Sequence, residues 1–157
     1  MDHKELIHKF YTALSKGDSK EMTACYHENI TFQDPVFGVL KGKRARSMWE
    51  MLLSNKNSNA IFTFDNIEAT AEIGQASWMA EYFYGKRKVI NKVKADFKFK
   101  DGKIIEHTDT FDLWKWTQQA LGITGYLIGW TPFIKRKMNK TVNKKLDGFI
   151  EKNQTIY

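Results

Sequence analysis

The chain has very few of the residues that build covalent or metal-based frameworks. It carries a single cysteine, Cys25, which excludes an intramolecular disulfide. No group of Cys and His residues has the spacing of a zinc site, and we expect neither a metal nor a cofactor. No apolar run is long enough to span a membrane, and the opening MDHKELIHKF is too charged for a signal peptide. We therefore expect a soluble, cytoplasmic protein.

Aromatic residues, by contrast, are abundant. The 157 residues include 11 Phe and 5 Trp, and hydrophobic residues make up 42% of the chain, which is typical of a globular protein. This length indicates one domain, residues 1–157, with a sizeable core. The net charge of +7 is concentrated late in the chain, where few aromatic residues lie among the lysines. We therefore do not expect nucleic acid as a partner.

Hydrophobic periodicity predicts helices at both ends of the chain and strands in its middle. Gly17 is predicted to end the first helix, and Asp18 to cap the second with Glu21 in capping-box position. The predicted helices are 3–16, 19–26, 43–55, 114–121 and 132–152, and the predicted strands are 29–34, 60–71, 75–85, 87–100 and 103–113. The last four strands form an antiparallel meander, so the fold class is α+β.

The stretch DGKIIEHTDTFDLWKW, residues 101–116, places polar residues on a face that should be buried. After the Asp101-Gly102 turn, Ile105, His107 and Asp109 alternate with a wholly polar face, which predicts that they point to the core. His107 and Asp109 then lie on one face with Cα atoms about 6–7 Å apart. Because buried polar groups cost free energy unless paired, this pair is either a satisfied structural contact or an acid–base pair lining a pocket.

Two other strands repeat this pattern. In NITFQD, Asp34 ends a face that otherwise carries Ile30 and Phe32. In strand 87–100, Asn91 is the polar residue on a face of Val, Ala and Phe, opposite a face made largely of lysines. Several polar residues on inward faces favour a curved sheet around a pocket over a solid core.

Three segments carry a resemblance to a known group of proteins. They are GDSKEMTACYHENITFQDPVFG, KGKRARSMWEML and FKFKDGKIIEHTDTFD. In order and spacing they resemble the nuclear transport factor 2-like superfamily, and within it the SnoaL-like and ketosteroid isomerase-like proteins. The resemblance implies a cone-shaped α+β barrel over about residues 3–113, with N-terminal helices across the concave face of a curved, mostly antiparallel sheet. Residues 114–152 would be a C-terminal helical extension, and the family commonly forms homodimers.

The resemblance also implies roles for individual residues. Asp34 matches the general base of ketosteroid isomerases, but Phe10 and Ala95 stand where those enzymes have hydrogen-bond donors for the substrate oxygen. Neither side chain can donate, so we do not expect steroid isomerase activity. Tyr11 is next in sequence, but on a helix it is rotated about 100° from Phe10. Asp109 matches the acid/base carboxylate of SnoaL-type cyclases and limonene-epoxide hydrolases, and His107 could orient it.

These observations predict acid–base proton transfer on a small apolar molecule, of the isomerase, cyclase or hydrolase type. The alternative is a non-catalytic binding protein for a small hydrophobic ligand. The predicted catalytic residues are Asp34, Asp109 and His107. The residues predicted to bind ligand are Phe10, Phe32, Trp49, Trp78, Tyr82, Tyr84, Asn91, Ala95 and Phe111.

The tail combines an apolar segment, Gly122–Trp130, with a lysine-rich helix. We expect the apolar segment to pack over the cone or across a dimer interface, with the lysines in water. The alternative is that the segment and the basic helix contact an anionic membrane surface.

Overall fold

The computed structural model describes residues 1–55 and 59–154. Within these ranges the chain forms six helices and six strands. The helices are α1 (His3–Lys16), α2 (Ser19–Ala24), α3 (Lys43–Ser54), α4 (Leu113–Leu121), α5 (Ile123–Ile128) and α6 (Pro132–Gln154). The strands are β1 (Tyr26–Asp34), β2 (Gly38–Lys41), β3 (Ile61–Ala69), β4 (Ile73–Tyr84), β5 (Arg87–Lys100) and β6 (Lys103–Thr110).

Local hydrogen bonds explain where the first two helices begin and end. The Asp2 side chain accepts the Glu5 amide, and the Glu5 side chain returns the bond to the Asp2 amide, which completes a capping box for α1. Gly17 ends α1 in the left-handed conformation, and Asp18 caps α2 by accepting the Glu21 amide, both as predicted. A sharp, capped turn therefore brings α2 back against α1.

The strands form one curved sheet in the order β2-β1-β6-β5-β4-β3. Strands β3 to β6 are the predicted antiparallel meander, and β1 joins it by pairing parallel with β6. The expected mostly antiparallel α+β cone is therefore confirmed. Helix α1 packs on β3 and β4, and α3 packs on β1 and β2.

The structure corrects several predicted boundaries. Residues 38–41, predicted as loop, form β2 and pair with β1, so that Leu40 is buried while Val39 is exposed. Strand β1 begins at Tyr26, which the periodicity assigned to the second helix. Strand β6 ends at Thr110, before Phe111, because Asp112 caps α4 by accepting the Lys115 amide.

A bulge also changes one inward residue of β6. Lys98 pairs with Glu106, but the next residue of β5, Phe99, pairs with Ile104, so Ile105 has no partner across the strands. Ile104 is consequently the buried residue, and Ile105, predicted to face the core, is only partly buried. Beyond the bulge, His107 and Asp109 point inward as predicted.

Helix α6 is tied to the turn that follows β1. Asn139 and Asn143 donate their side-chain amides to the carbonyl oxygens of Val36 and Phe37 at 2.9 and 3.1 Å. Leu146, fully buried, contributes an α6 side chain to the main core. None of the helices in the described ranges is long and apolar enough to cross a bilayer.

Candidate active site

The parallel pair β1–β6 brings the two predicted carboxylates together. Phe32 lies opposite His107, and Gln33 lies opposite Thr108. One step further along both strands are Asp34 and Asp109, on the same face of the sheet as Phe32 and His107. Neighbouring strands are about 4.8 Å apart, so the two aspartates are side by side at the ends of their strands.

A continuous chain of hydrogen bonds leads inward from Asp109. The Asp109 Oδ1 atom is 2.8 Å from His107 Nε2 and 3.2 Å from Trp78 Nε1. The other ring nitrogen, His107 Nδ1, is 2.7 Å from the Tyr26 hydroxyl, which accepts the indole N–H of Trp49 at 2.9 Å. Five side chains from three strands and one helix thus form a single connected network.

The donors and acceptors in this network fit one protonation pattern. Because the Tyr26 oxygen accepts from Trp49, its own proton is free to bond His107 Nδ1. His107 Nδ1 then acts as the acceptor, so the ring proton is on Nε2 and is donated to Asp109. A neutral His107 therefore leaves every nitrogen and hydroxyl along this path with a partner.

The ring of His107 is enclosed by aromatic side chains and has no exposed surface. Phe97, Phe32, Phe10, Tyr26 and Trp49 surround it, with ring centroids 4.5 to 6.3 Å away. The structure thus places His107 behind Asp109, where it orients the carboxylate without facing solvent. Of the residues predicted to bind ligand, Phe10, Phe32 and Trp49 belong to this enclosure.

Asp34 is the more accessible carboxylate. Its Oδ1 accepts the amides of Val36 and Phe37 at 2.8 and 2.6 Å, which fixes the turn after β1. Among the described residues no hydrogen bond engages Oδ2. Burial is the main cause that raises the pKa of Asp34 from 3.8 to about 6, and the charge of Asp109 raises it further. The hydrogen bonds from the Phe37 and Val36 amides and the proximity of His107 act in the opposite direction and lower the pKa.

Tyr11 is a residue of the site that the sequence reasoning set aside. It is almost fully buried, and within the described residues its hydroxyl is the one buried side-chain polar atom without a hydrogen-bond partner. Its ring packs against Trp78, the residue that donates to Asp109. Burial raises the pKa of Tyr11 well above 10, and the charges of Asp109 and Tyr26 add to this, so the phenol remains a proton-bearing donor.

The sequence reasoning missed Tyr11 and Tyr26, and a signal was present for Tyr11 alone. Tyr11 lies on the apolar stripe of α1 beside Phe10, and a buried tyrosine hydroxyl needs a partner. Both residues are buried, because a stripe more than 100° wide accommodates two neighbouring positions. Tyr26 was hidden because the strand begins three residues earlier than the alternating pattern does.

The remaining predicted ligand-binding residues divide into two groups. Trp78 donates to Asp109, and Ala95 lies directly across from Asp109 in the β5–β6 pair. Tyr82 and Tyr84, however, lie four and six residues beyond Trp78 along β4, where both contact Trp116 of α4. Asn91 pairs with Ala80 nearby, and Phe111 follows the end of β6, half-buried.

Two depressions on the surface lie away from this cluster. One runs along the outer side of α1 by Glu5, His8 and Thr12, and the other lies beside Lys86 and Gln119. Over residues 1–55 and 59–154, no three His, Cys, Asp or Glu residues are grouped so that they could hold a metal ion.

Solved structures with the same fold include enzymes. A LEH-like epoxide hydrolase from M. tuberculosis superimposes with a TM-score of 0.63 at 17% identity, covering 79% of this chain and 93% of that one. TerC, crystallised with polyporic acid, gives 0.62 at 13% identity, covering 74% and 96%. A proposed polyketide cyclase from Xanthomonas campestris pv. campestris gives 0.59 at 21% identity, covering 74% and 94%. At these identities the likeness shows a shared fold.

Sequence comparison gives the family. No curated protein matches the chain significantly. The family model of the SnoaL-like domain matches residues 7–107, which run from α1 to His107 and include the turn after Asp34. This match spans more than half of the chain, and the fold shared with the solved structures is consistent with it. The chain therefore belongs to the SnoaL-like domain family.

Proposed function

We propose that this protein catalyses proton transfer on a small, mostly apolar molecule that bears a carbonyl oxygen. The observation that carries the proposal is the pair Asp34 and Asp109, side by side on parallel strands, with the pKa of Asp34 raised to about 6. Two carboxylates whose environments differ are the usual arrangement for acid–base work. Asp34 is partly exposed, whereas Asp109 is buried and accepts hydrogen bonds from His107 and Trp78.

Asp34 is the group that exchanges the proton in this proposal. A catalytic base works best when its pKa lies near the working pH, and a value of about 6 meets this requirement. Its Oδ1 is fixed by the turn amides, so Oδ2 would take a proton from a carbon next to the carbonyl. The electron pair of the broken C–H bond moves onto the carbonyl oxygen as an enolate.

Tyr11 supplies the hydrogen bond to that oxygen. Its hydroxyl is buried, lacks a partner within the described chain and keeps its proton at neutral pH. A donor already fixed in place is worth on the order of 10²–10³ in rate when charge develops on an oxygen. Asp34 then returns the proton to another carbon, which is isomerisation. In cyclisation, the enolate carbon instead attacks a second carbonyl of the same molecule, and Asp34 returns the proton to the alkoxide that forms.

Asp109 and His107 act as positioning groups. Trp78 and His107 fix the Asp109 carboxylate, and its negative charge contributes to the raised pKa of Asp34. A substrate would approach from the side of Asp34, Trp78 and Phe111, which are only partly buried, because the His107 side is closed by aromatic rings.

The second candidate is a binding protein for a hydrophobic ligand. The observation that favours it is that His107, Tyr26 and Asp109 already satisfy one another, and that Asp34 Oδ1 already closes a turn. Such contacts stabilise a fold without catalysis. In this case Tyr11 would bond a polar atom of a ligand that leaves unchanged.

Hydrogen–deuterium exchange separates the two candidates. A panel of aromatic ketones and β-diketones is incubated with the protein in D2O, and deuterium at carbon is followed by NMR. For an exchanged ketone, Asp34→Asn is expected to lower the rate at least about 100-fold, because the base is removed. Tyr11→Phe is expected to lower it by a similar factor.

The matched control is Asp112→Asn, since Asp112 also accepts a backbone amide, at the start of α4, but is exposed. It should leave the rate unchanged. Asp34 must be ionised to act as a base, so kcat/KM should rise with pH through about 6. A wild-type rate in Asp34→Asn would exclude the enzyme, and bound ketone without exchange would support the binding protein.

A further inference from the structure

The segment from α4 to the start of α6 exposes large apolar side chains to solvent. Ile123 is 81% exposed, Trp130 67%, Leu127 62% and Phe133 62%. We call this surface the apolar tip. Its members are Trp114, Leu121, Ile123, Tyr126, Leu127, Ile128, Trp130 and Phe133. Single exposed apolar residues are common, but a contiguous group on one helical hairpin marks a binding surface.

Glycines explain why these side chains point outward. Helix α5 meets α4 through Gly125 and Gly129, at which an added Cβ would lie 1.9 Å from Thr117 O and Thr117 Oγ1 respectively. Thr117 is fully buried at this contact and donates to the Trp114 carbonyl. Because only glycine permits this approach, the inner side of α5 carries no large side chain. The large residues are therefore held on the outer side.

The same region carries a strong positive charge. Residues 113–146 contain seven Lys and Arg residues and no Asp or Glu, which equals the net charge of +7 of the whole chain. Lys135, Arg136 and Lys137 lie in the first turns of α6, directly after the apolar tip, and all three are exposed. None of the ion pairs within the described residues involves these three.

We propose that the apolar tip binds the surface of an anionic membrane. Trp114, Tyr126 and Trp130 are the side-chain types that settle at a lipid–water interface, and the aliphatic residues between them would enter the acyl boundary. The basic residues of α6 then contact anionic headgroups. This proposal does not depend on the proposed function.

The charge pattern favours a membrane over a second copy of the chain. A two-fold dimer through the tip would bring together two copies of the same basic surface, and residues 113–146 offer no Asp or Glu to pair with it. Like charges at an interface cost free energy, whereas anionic lipids complement them. Helix α5 is too short to span a bilayer, so the contact is peripheral, about 5–10 Å deep.

Vesicle sedimentation tests the apolar contribution. Wild-type protein is expected to pellet with vesicles of phosphatidylcholine containing about one third phosphatidylglycerol, and much less with pure phosphatidylcholine. The double variant Ile123→Ser/Leu127→Ser should bind at least about 10-fold more weakly, because two buried aliphatic side chains are lost. The matched control is Ile61→Ser/Ile73→Ser, which removes two exposed isoleucines on the sheet and should bind as wild type does.

A charge-neutralised variant tests the electrostatic contribution. Lys135→Gln/Arg136→Gln/Lys137→Gln should weaken binding by about 10–100-fold, and so should raised salt. Its control is Lys92→Gln/Lys94→Gln/Lys100→Gln, three exposed lysines of β5, which should change binding little. Equal loss in test and control variants would overturn the proposal, as would equal binding to both kinds of vesicle.

Size-exclusion chromatography distinguishes the competing occupant. If the wild type is a dimer that Ile123→Ser/Leu127→Ser converts to a monomer, and that dimer does not pellet with anionic vesicles, a second copy covers the tip and the proposal is wrong. An unchanged elution volume together with lost vesicle binding supports the membrane.

Discussion

Globular proteins usually bury apolar side chains and expose polar ones, and the candidate active site and the apolar tip depart from this arrangement in opposite ways. Around His107, polar groups lie inside a shell of aromatic rings, whereas on α5 apolar groups lie outside a contact made by glycines. Inside, a buried polar atom must find its partner within the chain, and all but the Tyr11 hydroxyl do so among the described residues. Outside, the described residues supply no cover for the apolar tip. In each region the group without a partner is the one at which we propose that another molecule binds.

Breaking the inner network at its centre should have the largest effect on stability. His107→Ala removes a partner of both Tyr26 and Asp109, and among the described side chains it leaves Asp109 with Trp78 alone. Uncompensated burial of a carboxylate costs about 3–5 kcal/mol, a large share of a typical free energy of unfolding. Urea denaturation at pH 7 measures the loss.

The control for this prediction is His8→Ala, because His8 is exposed on α1 and bonds only Thr12 within the described residues. Its free energy of unfolding should stay within about 0.5 kcal/mol of wild type. If both variants lost the same free energy of unfolding, the buried network around His107 would contribute nothing specific to stability.

Asp34→Asn should stabilise the protein at high pH. The folded-state pKa of Asp34 is raised from 3.8 to about 6, so the folded state favours the neutral acid. The stability that this contributes is complete below pH 3.8 and is lost as the pH rises through 6. Asparagine keeps an acceptor for Val36 and Phe37 but never carries the charge. At pH 8 the gain is at most about 3 kcal/mol, and at pH 4 it should be close to zero.

Urea denaturation of this variant at several pH values provides the check. Asp112→Asn serves again as the control. Because Asp112 is exposed, we expect this substitution to change the free energy of unfolding very little at any of these pH values. A gain for Asp34→Asn that stayed constant from pH 4 to pH 8 would contradict a raised pKa and would weaken the assignment of Asp34 as the base.

Much of the fold could be predicted because its elements are long and regular. Strand β5 alternates through fourteen residues, and its inward Val89, Val93, Ala95 and Phe97 are buried as expected. The caps at Gly17 and Asp18 are local, so the sequence specifies them directly. Strand β2 was missed because its four residues, Gly38–Lys41, are too few for a periodic signal.

The site was predictable in part, for a different reason. A charged residue on an apolar face can be identified within one strand, and Asp34, His107 and Asp109 were found in this way. Tyr11 and Tyr26 could not be ranked, since a tyrosine on an apolar face is ordinary and its role depends on which atoms the parallel β1–β6 pair brings near. The outward direction of α5 depends on a backbone contact with Thr117 that no periodicity reveals.

Two tyrosine substitutions distinguish a buried hydroxyl that has hydrogen-bond partners, Tyr26, from one that has none within the described residues, Tyr11. Tyr26→Phe leaves the Trp49 indole and His107 Nδ1 without a partner, which should cost about 1–3 kcal/mol. Tyr11→Phe removes a hydroxyl that has no partner within the described chain, so stability should be unchanged or rise by up to about 1 kcal/mol. Thermal unfolding of both proteins under one condition gives the difference. A large loss in Tyr11→Phe would mean that its hydroxyl is bonded in solution and is not available to a ligand.

Small effects on stability should also come from two glycines in the tail. Gly125→Ala would place a Cβ 1.9 Å from the Thr117 carbonyl oxygen, so α5 must move away from α4 at a cost of about 1–2 kcal/mol. Gly148→Ala meets no atom within 4 Å inside α6, so it should stabilise by about 0.5–1 kcal/mol. Amide hydrogen exchange should show faster exchange in α4 and α5 for the first variant and slower exchange in α6 for the second. Unchanged exchange in Gly125→Ala would mean that the glycine contact does not hold the apolar tip in place, and that the outward side chains need another cause.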